Sequence, residues 1–197
     1  MSKMPVIFLD CDGVVNCDRF VREWIAVHGD SSESMAEFKS RYFVHGGETG
    51  FIVPELLDRL KSVCDSTDCR IVWSSSWRGN YWIQDPDSGE ERFDWGGIAR
   101  LWRAKGLPLD RLMGCTPCLD LGRFSYVPRG VEIQKWLDEN AGKYNVGRAA
   151  VVDDDEDAIV SVAYEDARFF RTTFEEGLAE DVAENVVQWL LNGKEQS

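Results

Sequence analysis

Histidine is nearly missing from this 197-residue chain: with only two, His28 and His45, a histidine-based metal site is disfavoured and each is expected at the surface. No apolar run approaches the roughly 20 residues a membrane helix needs, and Met1 to Pro5 leads straight into a strand-like run without a signal-peptide pattern. A soluble, cytoplasmic protein with no membrane partner is therefore expected. The six cysteines are too dilute for a disulfide scaffold. One pair, Cys115-Thr-Pro-Cys118, has metal or redox spacing, but Cys64 and Cys69 lie far upstream as a second pair, so buried or half-buried thiols are preferred over zinc ligands. Basic residues are in deficit too, 22 against 35 acidic, and the net charge of −13 excludes non-specific DNA binding. Repeats and low-complexity tracts are also lacking. With 44% hydrophobic and 29% charged residues the chain fits one globular domain, or one domain with a small insertion.

What is present is an alternation of short apolar runs with amphipathic stretches, the signature of a parallel sheet covered by helices. Strands are expected at Val6–Leu9, Arg70–Trp73, around Arg111–Met113, at Ala149–Val152 and near Arg168–Arg171. Helices are expected from Pro54 to Val63 and from Ile98 to Lys105, then around Ile133, Trp136 and Leu137, and finally on the face formed by Val182, Val186, Trp189 and Leu190. The expected architecture is an α/β, Rossmann-like three-layer sandwich with a central, mainly parallel sheet. Residues 16–50 and 79–96 do not fit the alternation. Insertions after strand C-termini sit over the binding crevice of such sheets, so both are expected as small caps or lids. Trp82 and Trp95, flanked there by polar residues, are candidate stacking platforms for a base.

Asp10-Cys-Asp12-Gly13 follows the first strand, and Asp153-Asp-Asp-Glu-Asp157 follows a buried strand more than 140 residues later. Taken alone, the first is as readily an Asx-type turn and the second a helix N-terminus decorated with acids. Together, two acid clusters on strand ends would repel unless a cation lies between them, and all-oxygen ligands there suit Mg2+. An EF-hand calcium loop does not fit the spacing. Ser74-Ser-Ser-Trp-Arg78, after the second strand, offers hydroxyl, N–H and guanidinium donors for phosphate oxygens, or is simply a polar strand exit. Arg129 opens the helix before the acidic strand, where a positive charge is locally unfavourable and must be solvated, paired or used.

These four segments, Phe8 to Asn16, Val72 to Arg78, Arg129 to Ile133 with Trp136-Leu137, and Val152 to Asp155, resemble the four motifs of the haloacid dehalogenase (HAD) superfamily of phosphatases and phosphotransferases. Within it the chain looks most like the HAD domain associated with Swiss Army knife RNA repair proteins. The resemblance extends over nearly the whole length, including Gly114 to Pro117 and Gly177-Leu178. It implies a phosphate monoester hydrolase with Asp10 as nucleophile and Asp12 as general acid. Asp10, the backbone carbonyl of Asp12, Asp153 and Asp154 would hold Mg2+, and Ser75, or less readily Ser74, would bind the phosphoryl group. Arg129 stands where the family usually has lysine, with Lys135 as the fallback cation. The implied partner is a small phosphorylated substrate, such as a nucleotide, or a nucleic-acid terminus. Asp12 argues against dehalogenation. The alternative is a non-catalytic phosphate-binding or interaction module that keeps the fold, which intact Asp10, Asp12 and Asp153 speak against.

Overall fold

The computed structural model describes residues 2–43, 50–84, 91–119 and 127–192, without the side chains at 80, 82, 84 and 91. His45 and the side chain of Trp82 fall outside the described residues. Five strands, β1 (Met4–Leu9), β2 (Arg70–Trp73), β5 (Leu112–Cys115), β6 (Val146–Asp153) and β7 (Ala167–Arg171), form one sheet in the order β5-β2-β1-β6-β7. Every pairing in it is parallel.

Two-residue periodicity assigns each strand's side chains to opposite faces. Ile7, Leu9, Ile71, Trp73, Ala150 and Val152 enter one core with α3 (Pro54–Thr67), α4 (Trp95–Ala104) and α6 (Glu180–Asn192). Val6, Phe8, Val72, Ala149 and Val151 enter the other with Ile133, Trp136 and Leu137 of α5 (Arg129–Tyr144). Strands buried on both faces read as continuous apolar runs, which is why β1, β2 and β6 are legible in the sequence. The three-layer α/β sandwich is as expected.

Element boundaries differ where polar or small residues conceal the pattern. β5 starts at Leu112, because Arg111 ends a 3-10 turn and pairs with Asp65 and Asp68, while Gly114 and Cys115 carry the pairing with Val72 and Trp73. α4 begins at Trp95, through two poor helix formers, Gly96 and Gly97; the Asp94 side chain caps it by accepting from Gly97 N–H at 2.9 Å. α3 continues past Val63 to Thr67, since Cys64 and Thr67 extend its buried face.

Residues 16–50 contain two helices, α1 (Asp18–His28) and α2 (Ser32–Tyr42). Trp24 and Phe38 pack there with Phe20, Tyr42, Phe43 and Phe51 against Val53 and Leu56 at the start of α3. Trp24 is thus core of the inserted hairpin, as Trp102 is of the main core. The exposed ring of His28 stacks on Trp24 at 3.8 Å. Residues 79–96 contain the end of a 3-10 helix (Ser76–Tyr81), the antiparallel pair β3 (Trp82–Gln84) and β4 (Glu91–Phe93), and the start of α4. Trp95 is 49% exposed. Among the described residues, no helix is long and apolar enough to cross a membrane.

Candidate active site

From β1 the chain passes to β2 and β5 on one side and then returns to β6 and β7 on the other, so strand order reverses beside β1, the point at which open α/β sheets hold ligands at their C-terminal edge. The register Leu9↔Val152 places Asp10 and Asp153 side by side, with Asp10 N–H donating to the Val152 carbonyl at 3.1 Å. Ser74 takes the corresponding place beyond β2, its N–H donating to the Leu9 carbonyl at 2.8 Å.

Asp10, Asp153 and Asp154 bring carboxylate oxygens within 4.8 Å of one another. Burial is the main reason that Asp10 is pushed up to about 7, against the opposing influence of Arg129 and a hydrogen bond from Ser75. Burial, then repulsion by Asp10, pushes Asp153 up to about 8. Burial and the nearby Asp12 charge also raise Asp154. Asp10 Oδ1 is buried and accepts no hydrogen bond among the described residues; its nearest cationic atom is Arg129 Nη1 at 3.8 Å. A buried, underbonded carboxylate oxygen within a trio of hard oxygen donors fits a Mg2+ ligand set.

Asp12 is held differently. Its Oδ1 accepts from Asn16 Nδ2 and its Oδ2 from Trp77 Nε1, each at 2.9 Å. Asn16 Oδ1 in turn accepts from Gly13 N–H at 2.8 Å and closes the loop. Gly13 has φ +62°, and a Cβ there would lie 2.7 Å from Asp154 Cβ, so only glycine lets the two acidic loops meet this closely. Cys11, between the two aspartates, points into the core, where its thiol receives the Trp73 indole N–H at 3.2 Å.

Arg129 sits at the first position of α5, mostly buried and paired. Its Nε lies 3.3 Å from Asp153 Oδ2, its Nη1 donates to the Ser74 carbonyl, and its backbone N–H donates to Asp157 Oδ2 at 3.1 Å. A cation at a helix N-terminus is thus offset by three aspartates. Gly130 permits this placement: a Cβ there would come within 2.0 Å of the Val160 carbonyl oxygen.

The five-acid run divides into roles. Asp153 and Asp154 belong to the carboxylate trio. Asp155 caps a 3-10 helix (Glu156–Ile159), Asp157 caps α5 from outside, and Glu156 pairs with Arg171.

Ser75 is fully buried and faces Asp10, whereas the Ser74 hydroxyl meets Thr116 Oγ1 at 3.4 Å. Of the two further cations considered, one lies away from the site and one lies at it with its donors engaged. Lys135 is half exposed and pairs with Glu139 on the outer face of α5. Arg78 lines the cleft, but its guanidinium is committed to the carbonyls of Ser75, Thr116 and Pro117 and to buried Glu132, whose other oxygen accepts from Leu119 N–H at 2.9 Å. It ties the loops after β2 and β5 to α5. Cys118 lines the same cleft, and burial pushes the Cys115 thiol up to about 12.

A cleft of about 650 Å³ is bordered by Asp10, Asp12, Arg129, Asp153 and Asp154, with Ser76 rather than Ser74 or Ser75 as the serine on its lining. A groove between α3 and α6 is larger, about 770 Å³, but lies outside the carboxylate trio. Sequence reasoning assigned no part to Asn16, Trp77 or Glu132. The signal available for the first two was their closeness in sequence to Asp12 and to the serine run.

A parallel sheet with its carboxylates at the strand-order reversal, in this order along the chain, is consistent with a HAD domain, a fold family of phosphatase-type hydrolases. The family model for the HAD domain in Swiss Army Knife RNA repair proteins matches residues 6–183, and the chain belongs to that family. No curated protein and no solved structure matched it.

Proposed function

We propose that the protein is a Mg2+-dependent phosphatase that hydrolyses a phosphate monoester through an aspartyl-phosphate on Asp10. The observation that carries this reading is the Asp10 carboxylate itself, buried, with an Oδ1 that accepts no hydrogen bond among the described residues, and grouped with Asp153 and Asp154. Asp10, Asp153 and Asp154, with the Asp12 backbone carbonyl, would hold Mg2+, which when bound supplies positive charge against the nucleophile and the substrate phosphate.

In the first step an Asp10 oxygen forms a bond to phosphorus as the bond to the leaving oxygen breaks, and Asp12 gives that oxygen its proton. In the second, Asp12 takes a proton from water. The water oxygen bonds to phosphorus, the Asp10–phosphorus bond breaks, and phosphate leaves. Ser75, or less readily Ser74, would bind the phosphoryl oxygens, with Ser76 as the serine that borders the cleft, and Arg129 balances the charge of Asp10 and Asp153. The inserted segments 16–50 and 79–96 are read as lids. The family's association with RNA repair favours a nucleotide or an RNA-terminal phosphate as substrate. Because of the charge of −13, a single end suits the protein better than a long strand.

The second reading, a non-catalytic phosphate-binding module, has Arg129 on its side, since the guanidinium is already engaged with Asp10 and Asp153. Phosphate release from nucleoside monophosphates, 3′-phosphorylated RNA oligonucleotides and an aryl phosphate, with Mg2+ or with chelator, separates the two. Mg2+-dependent release by the wild type and none by Asp10→Asn is expected. Mg2+ binding without release from any of these substrates would favour the module.

A further inference from the structure

We infer that Trp77 is the positioning residue of the proton donor: its indole N–H on Asp12 Oδ2, with the Asn16 carboxamide on Oδ1, fixes the carboxyl group of Asp12 where it borders the cleft. The inference rests on Asp12 being the general acid proposed above.

Asp12 lies on a loop beyond β1, and its side chain has no intrinsic reason to keep one rotamer. A general acid must nevertheless stand within roughly 3 Å of the leaving oxygen, and a misplacement of about 1 Å costs on the order of 100-fold in rate. Trp77 has the rigidity Asp12 lacks. It is 4% exposed and belongs to the main core. Its backbone N–H donates to Ser75 Oγ at 3.3 Å, and its neighbour Arg78 is tied to Ser75, Thr116, Pro117 and Glu132.

A buried indole N–H favours an acceptor but does not always find one, since Trp102 Nε1 is buried with none among the described residues; where an acceptor is present, its identity is informative. Trp24 donates to the Ser34 hydroxyl, Trp73 to the Cys11 thiol and Trp189 to the Ala149 carbonyl. Trp77 donates to a titratable carboxylate in the cleft. A carboxylate offers about four lone-pair sites. The indole and the carboxamide use one on each oxygen, so both ends of the carboxyl group are held.

The test is a leaving-group comparison. Trp77→Phe keeps the aromatic packing and removes the N–H, and kcat/KM is measured with Mg2+ on an alkyl phosphate and on p-nitrophenyl phosphate. The nitrophenolate leaves without needing a proton. General acid catalysis contributes about 10²–10⁴-fold, so a loss of about 10- to 100-fold is expected on the alkyl ester and less than about 3-fold on the aryl ester. In an Asp12→Asn background the same substitution should cost nothing further on the alkyl ester. Equal losses on both esters, or a full further loss in that background, would make Trp77 merely structural and overturn the inference. If Trp77→Phe does not fold, a 3-benzothienyl side chain at 77, which exchanges only the N–H for sulfur, carries the same comparison. A wild type that releases no phosphate from either ester would overturn the phosphatase reading, and this inference with it. Normal wild-type turnover with unchanged ester selectivity in the variant would overturn this inference alone.

Discussion

The paired carboxylates make the metal-free protein less stable as pH rises, and Asp153→Asn should expose this. In the unfolded chain both aspartates ionise near 3.8; folded, Asp10 is raised to about 7 and Asp153 to about 8. Between these limits the folded state holds protons that the unfolded state has released. A raised folded-state value therefore contributes stability that is fully present below pH 4 and lost as pH climbs through 7 to 8. Each such group contributes a slope of about −1.4 kcal/mol per pH unit. Removing the titration of Asp153 should flatten the curve by that amount, or roughly 3 kcal/mol between pH 5 and 7. Urea unfolding at intervals from pH 5 to 8 in chelator, wild type beside Asp153→Asn, measures it. Mg2+ should raise the wild-type midpoint more at pH 8 than at pH 5, because its ligands must give up their protons. Parallel wild-type and variant curves in chelator would refute the reasoning.

Glu132→Ala would leave the Arg78 guanidinium buried without its counter-charge and Leu119 N–H without its acceptor, at a cost of about 3–5 kcal/mol in urea unfolding. A loss below about 1 kcal/mol would show that the carbonyl partners of Arg78 suffice. Ser75→Ala should reduce phosphate release far more than Ser74→Ala, since the Ser75 side chain faces Asp10 and the Ser74 hydroxyl faces Thr116. The reverse order in steady-state kinetics would shift the phosphate-binding role one residue back.

The parts of the fold legible in the sequence are those where one physical requirement dominates. Val6–Leu9 and Ala149–Val152 are buried on both faces, so composition alone marks them as central strands, and their acidic ends mark the sheet edge that binds. The start of α4 is not legible, because Gly96 and Gly97 weaken the helical pattern where the Asp94 cap restores it. In the site, Asp10, Asp153 and Asp154 were legible because close repulsion between like charges calls for a cation. The roles of Arg78 and Lys135 are not legible in the sequence, because a cation's availability depends on its partners. Three carbonyls and Glu132 take up the first, and helix phase carries the second outward to Glu139. Trp77 was missed because an indole reads as core, and only its N–H, directed at Asp12, reveals a second task.

The central claim is that Asp10 carries the phosphoryl group, and it can be tested by acid quench during turnover with Mg2+ and substrate, followed by borohydride reduction and peptide mass spectrometry. An acyl phosphate on Asp10 would be reduced to homoserine at position 10, in the presence of substrate and not without it. Steady phosphate release with position 10 unmarked, or with the mark on another carboxylate, would contradict the account.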